Sequence, residues 1–168
     1  MMKKLLLCWL ICQPLTGLAL QPGDMMPDFR VTTLDGEAIQ AGQWRRGQPL
    51  YLKFWATWCV YCQVEMPHLQ DVYQRYGEQI RVLTVNVGIN DSVANIRRLF
   101  AEKGLSLPTV FDEQGELTSL FKVVGTPQHI LIGADGRVRY RSFLAEDELD
   151  RILAGWAAET ANNRITVH

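Results

Sequence analysis

Pro49-Leu50-Tyr51-Leu52-Lys53-Phe54-Trp55-Ala56-Thr57-Trp58-Cys59-Val60-Tyr61-Cys62 is the stretch from which the rest of the chain can be read. Leu50 to Trp55 is apolar apart from Lys53 and lacks the alternation of a half-solvated strand, so it reads as a central strand buried on both faces. Just beyond it, Leu69, Val72, Tyr73 and Tyr76 recur at i, i+3, i+4 and i+7, which predicts a helix from Cys59 to Tyr76 kinked at Pro67. The two cysteines therefore fall where a buried strand hands over to a helix.

Working outward, Phe29 to Ile39 alternates around Asp35-Gly36 and reads as a short hairpin packed on an edge. Ile80 to Val87 is a second buried strand. Asp91 or Ser92 can cap a helix carrying Val93, Ile96, Leu99 and Phe100, which Gly104 stops. Leu107 to Phe111 is a short strand and Glu116 to Phe121 a short helix, before His129–Ile132 and Arg137–Tyr140 form a hairpin across Asp135-Gly136. A last helix aligns Leu149, Ile152, Leu153 and Trp156, and the polar tail 161–168 is expected to fray. The alternation of strands and helices argues for an α/β sandwich, a mixed sheet with helices on both faces, over one domain at 20–160.

The composition suits such a domain: 168 residues, 48% hydrophobic and 21% charged, are enough for one core. The net charge of −1 arises from interspersed charges, so no basic stripe marks a nucleic-acid partner. Residues 1–19 stand apart. Lys3 and Lys4 precede an apolar run from Leu5 to Cys12, and Gly17 and Ala19 sit at −3 and −1 of a cleavage site, which is the pattern of a signal peptide. An uncleaved anchor is the alternative, although Gln13 and Pro14 interrupt the run well short of the roughly 20 apolar residues that a membrane span needs. Cleavage would remove Cys8 and Cys12 and leave Cys59 and Cys62 alone in an oxidising, periplasmic or other extracytoplasmic compartment.

A Cys-x-x-Cys pair can be half a zinc site, a structural staple or a redox couple. Closed zinc sites take four ligands, but the sequence has no second cysteine pair and His68, His129 and His168 lack ligand spacing, so no metal is expected. As a staple the pair would close too short a loop to constrain the unfolded chain much. At a helix start, by contrast, unpaired amides and the positive end of the helix dipole stabilise a thiolate. Cys59 is then the attacking thiolate and Cys62, one turn deeper, the resolving thiol. Trp58 either shields the pair or simply packs in the core.

Phe54-Trp55-Ala56-Thr57-Trp58-Cys59-Val60-Tyr61-Cys62 resembles the active-site segment of thioredoxin-like proteins, and most closely that of the exported TlpA/ResA-type reductases. The likeness runs from Asp28 to Trp156, through Glu65-Met66-Pro67, Val85-Asn86-Val87 and Gly125-Thr126-Pro127. It implies a thioredoxin-like fold with an N-terminal hairpin extension and a central strand-helix insertion. It also implies that Pro127 is a cis-proline beside the cysteines, with Thr126 meeting the substrate backbone, and that Glu65 tunes the thiols. The bland alternative for Glu65 is a solvated carboxylate on the first turns of the helix.

Lys53 departs from the pattern, since a buried aspartate or asparagine is usual there. It could pair with Glu65 or favour a thiolate, whereas a strand ending there would let the ammonium snorkel to water. The activity implied is dithiol-disulfide exchange by a monomer, with no cofactor beyond a redox-active Cys59-Cys62 disulfide. Its substrates would be disulfides of exported proteins, apocytochromes c among them, and its electrons would come from a membrane donor of DsbD/CcdA type. Alternatives are a disulfide isomerase or oxidase, a donor to methionine sulfoxide reductase, and a copper chaperone using both thiols and His129. A peroxidase would need proline and threonine where Leu52 and Ala56 stand.

Overall fold

The computed structural model describes residues 19–44 and 47–165, so residues 1–18 of the 1–19 leader and residues 166–168 of the tail lie outside the described residues. Along the chain run β1 (Arg30–Thr32), β2 (Ala38–Gln40), α1 (Ala41–Trp44), β3 (Leu50–Trp55), α2 (Val60–Tyr76), β4 (Arg81–Asn86), α3 (Val93–Lys103), β5 (Thr109–Phe111), α4 (Glu116–Leu120), β6 (Gln128–Ile132), β7 (Val138–Ser142) and α5 (Asp147–Ile165). Strand ends differ from the sequence reading by a residue or two, α1 was not legible, and α5 continues past Ala161, where fraying was expected.

Five strands form a mixed sheet of order β5-β4-β3-β6-β7, with β3 parallel to β4 and antiparallel to β6. All six residues of β3 are buried, as a run apolar but for Lys53 implies for the middle strand of a sheet covered on both faces. Leu52 and Phe54 are at most 1% exposed, and each such side chain contributes on the order of 2 kcal/mol on leaving water.

Alternation along β3 divides the two layers. Phe54 points to one face, where its ring lies 5.7 Å from Phe121 at the end of α4, and Phe121 meets Phe29 edge-on. Trp55 points to the other face and stacks on Phe100 of α3. The crossovers β3-α2-β4 and β4-α3-β5 advance the same way across the sheet, so the right-handed rule puts α2 and α3 on one face. His68 of α2 bonds Asp150 of α5, which adds the last helix to that layer.

The hairpin β1-β2 forms its own two-stranded sheet and touches the β5 edge, where the Leu34 amide donates to the Thr109 carbonyl at 2.8 Å. At the opposite edge the segment from Gly23 to Met26 pairs with Gly136, Arg137 and Val138, where the chain enters β7. Each edge is thereby covered in part against strand addition. Where β4 leaves the sheet, Gly88 takes φ 72°, and a Cβ there would stand 2.5 Å from the Asp112 carbonyl oxygen, so only glycine fits. Among the described residues no helix is long and apolar enough to cross a membrane.

Candidate active site

Residues 56–58 carry the chain off the end of β3 and into α2, and this short loop is tied down on both sides. Asp91 accepts from the Thr57 amide and hydroxyl, each at 2.7 Å, from Asn86 Nδ2 at 2.7 Å and from the Ser92 amide at 2.8 Å. Burial raises the Asp91 carboxyl, but these donors outweigh it, with Asn86 and Thr57 foremost, and hold it below its ordinary value. Ser92, rather than Asp91, caps α3 through Asn95, which leaves Asp91 free for this clamp. Gln63 Nε2 donates to the Thr57 carbonyl from the α2 side.

Cys59 is the N-cap of α2, and its Sγ accepts from the Cys62 amide at 3.2 Å. Cys59 and Cys62 form a disulfide with a Cα separation of 5.2 Å. Cys59 is 6% exposed and Cys62 0%, an order of depth suited to an attacking and a resolving sulfur. The positive end of the α2 dipole lies at Cys59, where the Cys62 amide of the first turn already donates to the sulfur.

Around the pair the surface is apolar. Val60 is 70% exposed, Tyr61 69% and Val64 73%, all on the first turns of α2. Trp58 is 52% exposed with its indole N–H on the Ile89 carbonyl, so it is not a core residue. The register sets Gln128 opposite Phe54, which brings the cis Thr126–Pro127 bond to the same end of the sheet as the 56–58 loop. The Thr126 hydroxyl oxygen is buried there without a partner among the described residues.

Beneath the helix lies a polar cluster. β3 places Tyr51 and Lys53 on one face, and antiparallel pairing sets His129 of β6 directly opposite Lys53. α2 lowers Glu65 onto them, so that Lys53 Nζ donates to Oε2 at 2.6 Å and His129 Nε2 meets the same oxygen at 3.1 Å. The Ala145 amide donates to Oε1 at 2.9 Å, and Tyr51 OH meets His129 Nδ1 at 2.7 Å. Lys53 and His129 are fully buried, while the Glu65 side chain keeps 14% exposure.

Burial raises the Glu65 carboxyl, but hydrogen bonds from His129, Lys53 and Ala145, together with the Lys53 charge, bring it down to about 2. Burial lowers Lys53 despite the opposing pull of Glu65, and lowers His129 in the same way. Burial first, then the Glu65 charge, holds the Tyr51 phenol well above its ordinary value. Two sequence alternatives fall here: Lys53 does not snorkel, because β3 runs on to Trp55, and Glu65 is no solvated surface carboxylate.

The structure thus brings Trp58, Cys59, Cys62, Thr126 and Pro127 to one end of the sheet, and pairs Lys53, further inside β3, with Glu65 of α2. The sequence reading missed Tyr51, saw Asp91 only as a cap, and weighed His129 only as a metal ligand. A polar residue inside each of two apolar strand runs was the available signal, but only register decides whether two such residues meet. Both His129 ring nitrogens are engaged within the cluster. Among the described residues no group of three or more His, Cys, Asp or Glu could hold a metal ion.

A dithiol-disulfide pair capping a helix, on a mixed five-stranded sheet of this order, defines a thioredoxin-fold thiol-disulfide oxidoreductase. The chain belongs to the AhpC/TSA family, whose profile it matches over residues 22–141. It is 33% identical over 122 residues to the thiol-disulfide oxidoreductase ResA of Geobacillus thermodenitrificans, covering 72% of this chain and 68% of the relative. Among solved structures it resembles StoA from Bacillus subtilis, with TM-score 0.66 and 23% identity over 77% of this chain and 97% of that one. The thioredoxin domain of a thiol-disulfide oxidoreductase from Bacteroides vulgatus gives TM-score 0.69 at 18% identity, over 82% and 99% of the two chains. These two structural likenesses speak for the fold. The peroxidase positions remain Leu52 and Ala56, both buried in the core.

Proposed function

We propose that the protein is exported and reduces disulfides in extracytoplasmic proteins as a monomer, using Cys59 and Cys62 and no further cofactor. The observation that carries this reading is the cysteine pair at the α2 N-terminus, set among exposed Trp58, Val60, Tyr61 and Val64. An uncharged apolar rim suits an extended, incompletely folded polypeptide such as an apocytochrome c, whose own apolar side chains are still in water. The leader pattern supports export, and a resident of an oxidising compartment needs a membrane dithiol donor of DsbD/CcdA type to stay reduced.

In the working cycle the Cys59 thiolate attacks one sulfur of the target disulfide. The target's S–S bond breaks, and its second sulfur leaves as a thiolate that takes a proton. Cys62, deprotonated, then attacks Cys59 Sγ, and the target's first sulfur leaves with the electron pair. The target has gained two electrons and two protons, the protein is left as the Cys59-Cys62 disulfide, and the membrane donor returns both. Thr126 would pair with the target backbone beside Pro127, and Lys53 and Glu65 would tune the thiols from below.

A Cys62→Ala variant arrests the cycle at the mixed disulfide, so exported proteins should be recovered attached to Cys59 and be released by dithiothreitol. No attached protein, with normal folding, refutes the reading. Lys53 favours a second direction, because a cation beside the thiols stabilises the reduced form and makes the disulfide more oxidising. Equilibration with glutathione separates the two: a potential near that of DsbA, about −120 mV, would assign oxidation or isomerisation instead.

A further inference from the structure

The geometry points to Tyr51 and His129 as positioning residues of the redox site, which hold Glu65 against Lys53 and so keep an ammonium beneath the first turn of α2. This rests on the reading that Lys53 and Glu65 tune the cysteine pair.

Donor directions in the cluster are fixed by chemistry. Lys53 can only donate, and Glu65, ionised down to about 2, can only accept, so the hydrogen between His129 and Oε2 belongs to Nε2. Burial keeps the imidazole neutral, with one N–H, and Nδ1 must accept from Tyr51 OH. The chain runs one way: Tyr51 O–H to His129 Nδ1, His129 Nε2–H to Glu65 Oε2, and Lys53 N–H to the same oxygen. A histidine with both nitrogens committed is no base for the cysteines. It serves to fix a carboxylate.

That carboxylate is the partner through which Lys53 is held charged. Glu65 lies three residues beyond Cys62 on α2, so the two share one helix face and the ammonium sits under the turn that carries the sulfurs. Glu65 keeps 14% exposure and a route towards solvent, whereas Lys53 is sealed in. Without the His129 donor, the carboxylate can turn outward and leave Lys53 buried without a counter-ion, where it sheds its proton. Tyr51 acts one step back, because its O–H on Nδ1 selects the tautomer that presents Nε2–H to Glu65. The titratable groups facing this chain are Lys53 on β3, Glu65 and His68 on α2, Tyr140 on β7 and Asp150 on α5.

The test follows thiolate absorbance at 240 nm against pH in the reduced full-length protein. Lys53→Met, which removes the ammonium outright, should raise the Cys59 midpoint and lower the thiolate-to-thiol ratio at fixed pH about tenfold. His129→Leu should move it the same way, Tyr51→Phe by less, and His129→Gln, which restores an N–H towards Glu65, should return it towards wild type. If Lys53→Met shifts the midpoint while His129→Leu and Tyr51→Phe do not, the positioning role is refuted even where those variants lose stability. If Lys53→Met itself shifts nothing, the tuning reading fails and takes this inference with it. Nitrogen-15 shifts of His129 in the wild-type protein should give the Nε2–H tautomer, and an Nδ1–H ring would overturn the inference without reference to Lys53.

Discussion

Replacing Glu65 with Gln leaves the size of the side chain nearly intact and takes away the counter-ion of a lysine with no exposed surface. At 2.6 Å and an effective dielectric of about 20, the gross attraction is about 6 kcal/mol, much of which offsets the desolvation of both ions. A second route to the magnitude is the proton affinity of Glu65. Folding lowers its carboxyl from 4.5 to about 2, which corresponds to about 3 kcal/mol of stability. Removing one member of a buried pair generally costs about 3–5 kcal/mol, so both routes place Glu65→Gln near a loss of 3 kcal/mol at pH 7.

The sign of the pH dependence follows from the depressed value: the contribution is complete above about 4.5 and is lost as pH falls towards 2. The gap between wild type and Glu65→Gln should therefore shrink over that interval. Lys53→Met should cost less, about 1–2 kcal/mol, because the stranded carboxylate keeps 14% exposure and the donors His129 and Ala145. The double variant should be more stable than Glu65→Gln alone. Urea unfolding of the oxidised protein at several pH values is the assay. A Glu65→Gln loss under about 1 kcal/mol at pH 7, or a gap that does not close in acid, would refute the reasoning.

Asp91→Ala removes the acceptor shared by Thr57, Asn86 and Ser92, and should cost about 2 kcal/mol, a fall in Tm of about 4–8 °C, with faster hydrogen exchange at the Thr57 amide. Thr126→Val replaces a buried hydroxyl that has no partner among the described residues. It should leave stability unchanged or raise it by up to about 1 kcal/mol, which urea unfolding would check, and a loss larger than that would mean the hydroxyl has a structural partner.

Much of this site was legible before any fold was known. A run from Leu50 to Trp55 that is apolar but for Lys53, followed by Trp58-Cys59-Val60-Tyr61-Cys62 and then helical spacing, reads as a central strand feeding a helix, and that order alone gives the cysteines their dipole and unequal depth. These are local properties, set by periodicity over a few residues. Lys53 beside Glu65 was open as a pairing, because both lie on the same strand-helix unit, but its alternative of a solvated ammonium was equally allowed by the sequence.

What only the tertiary structure decided is which distant residues close the cluster. Tyr51 and His129 are 78 residues apart and meet because β6 returns antiparallel beside β3 in a register that sets His129 opposite Lys53. A shift of one residue would turn His129 to the other face of the sheet, among the aromatic rings of Phe54 and Phe121. Likewise Asp91 reads as a helix cap until the loop after β4 folds over Thr57. Sequence thus fixes the sulfur chemistry, since that depends on neighbours along the chain, while the charges under it are set by strand register, which no local pattern encodes.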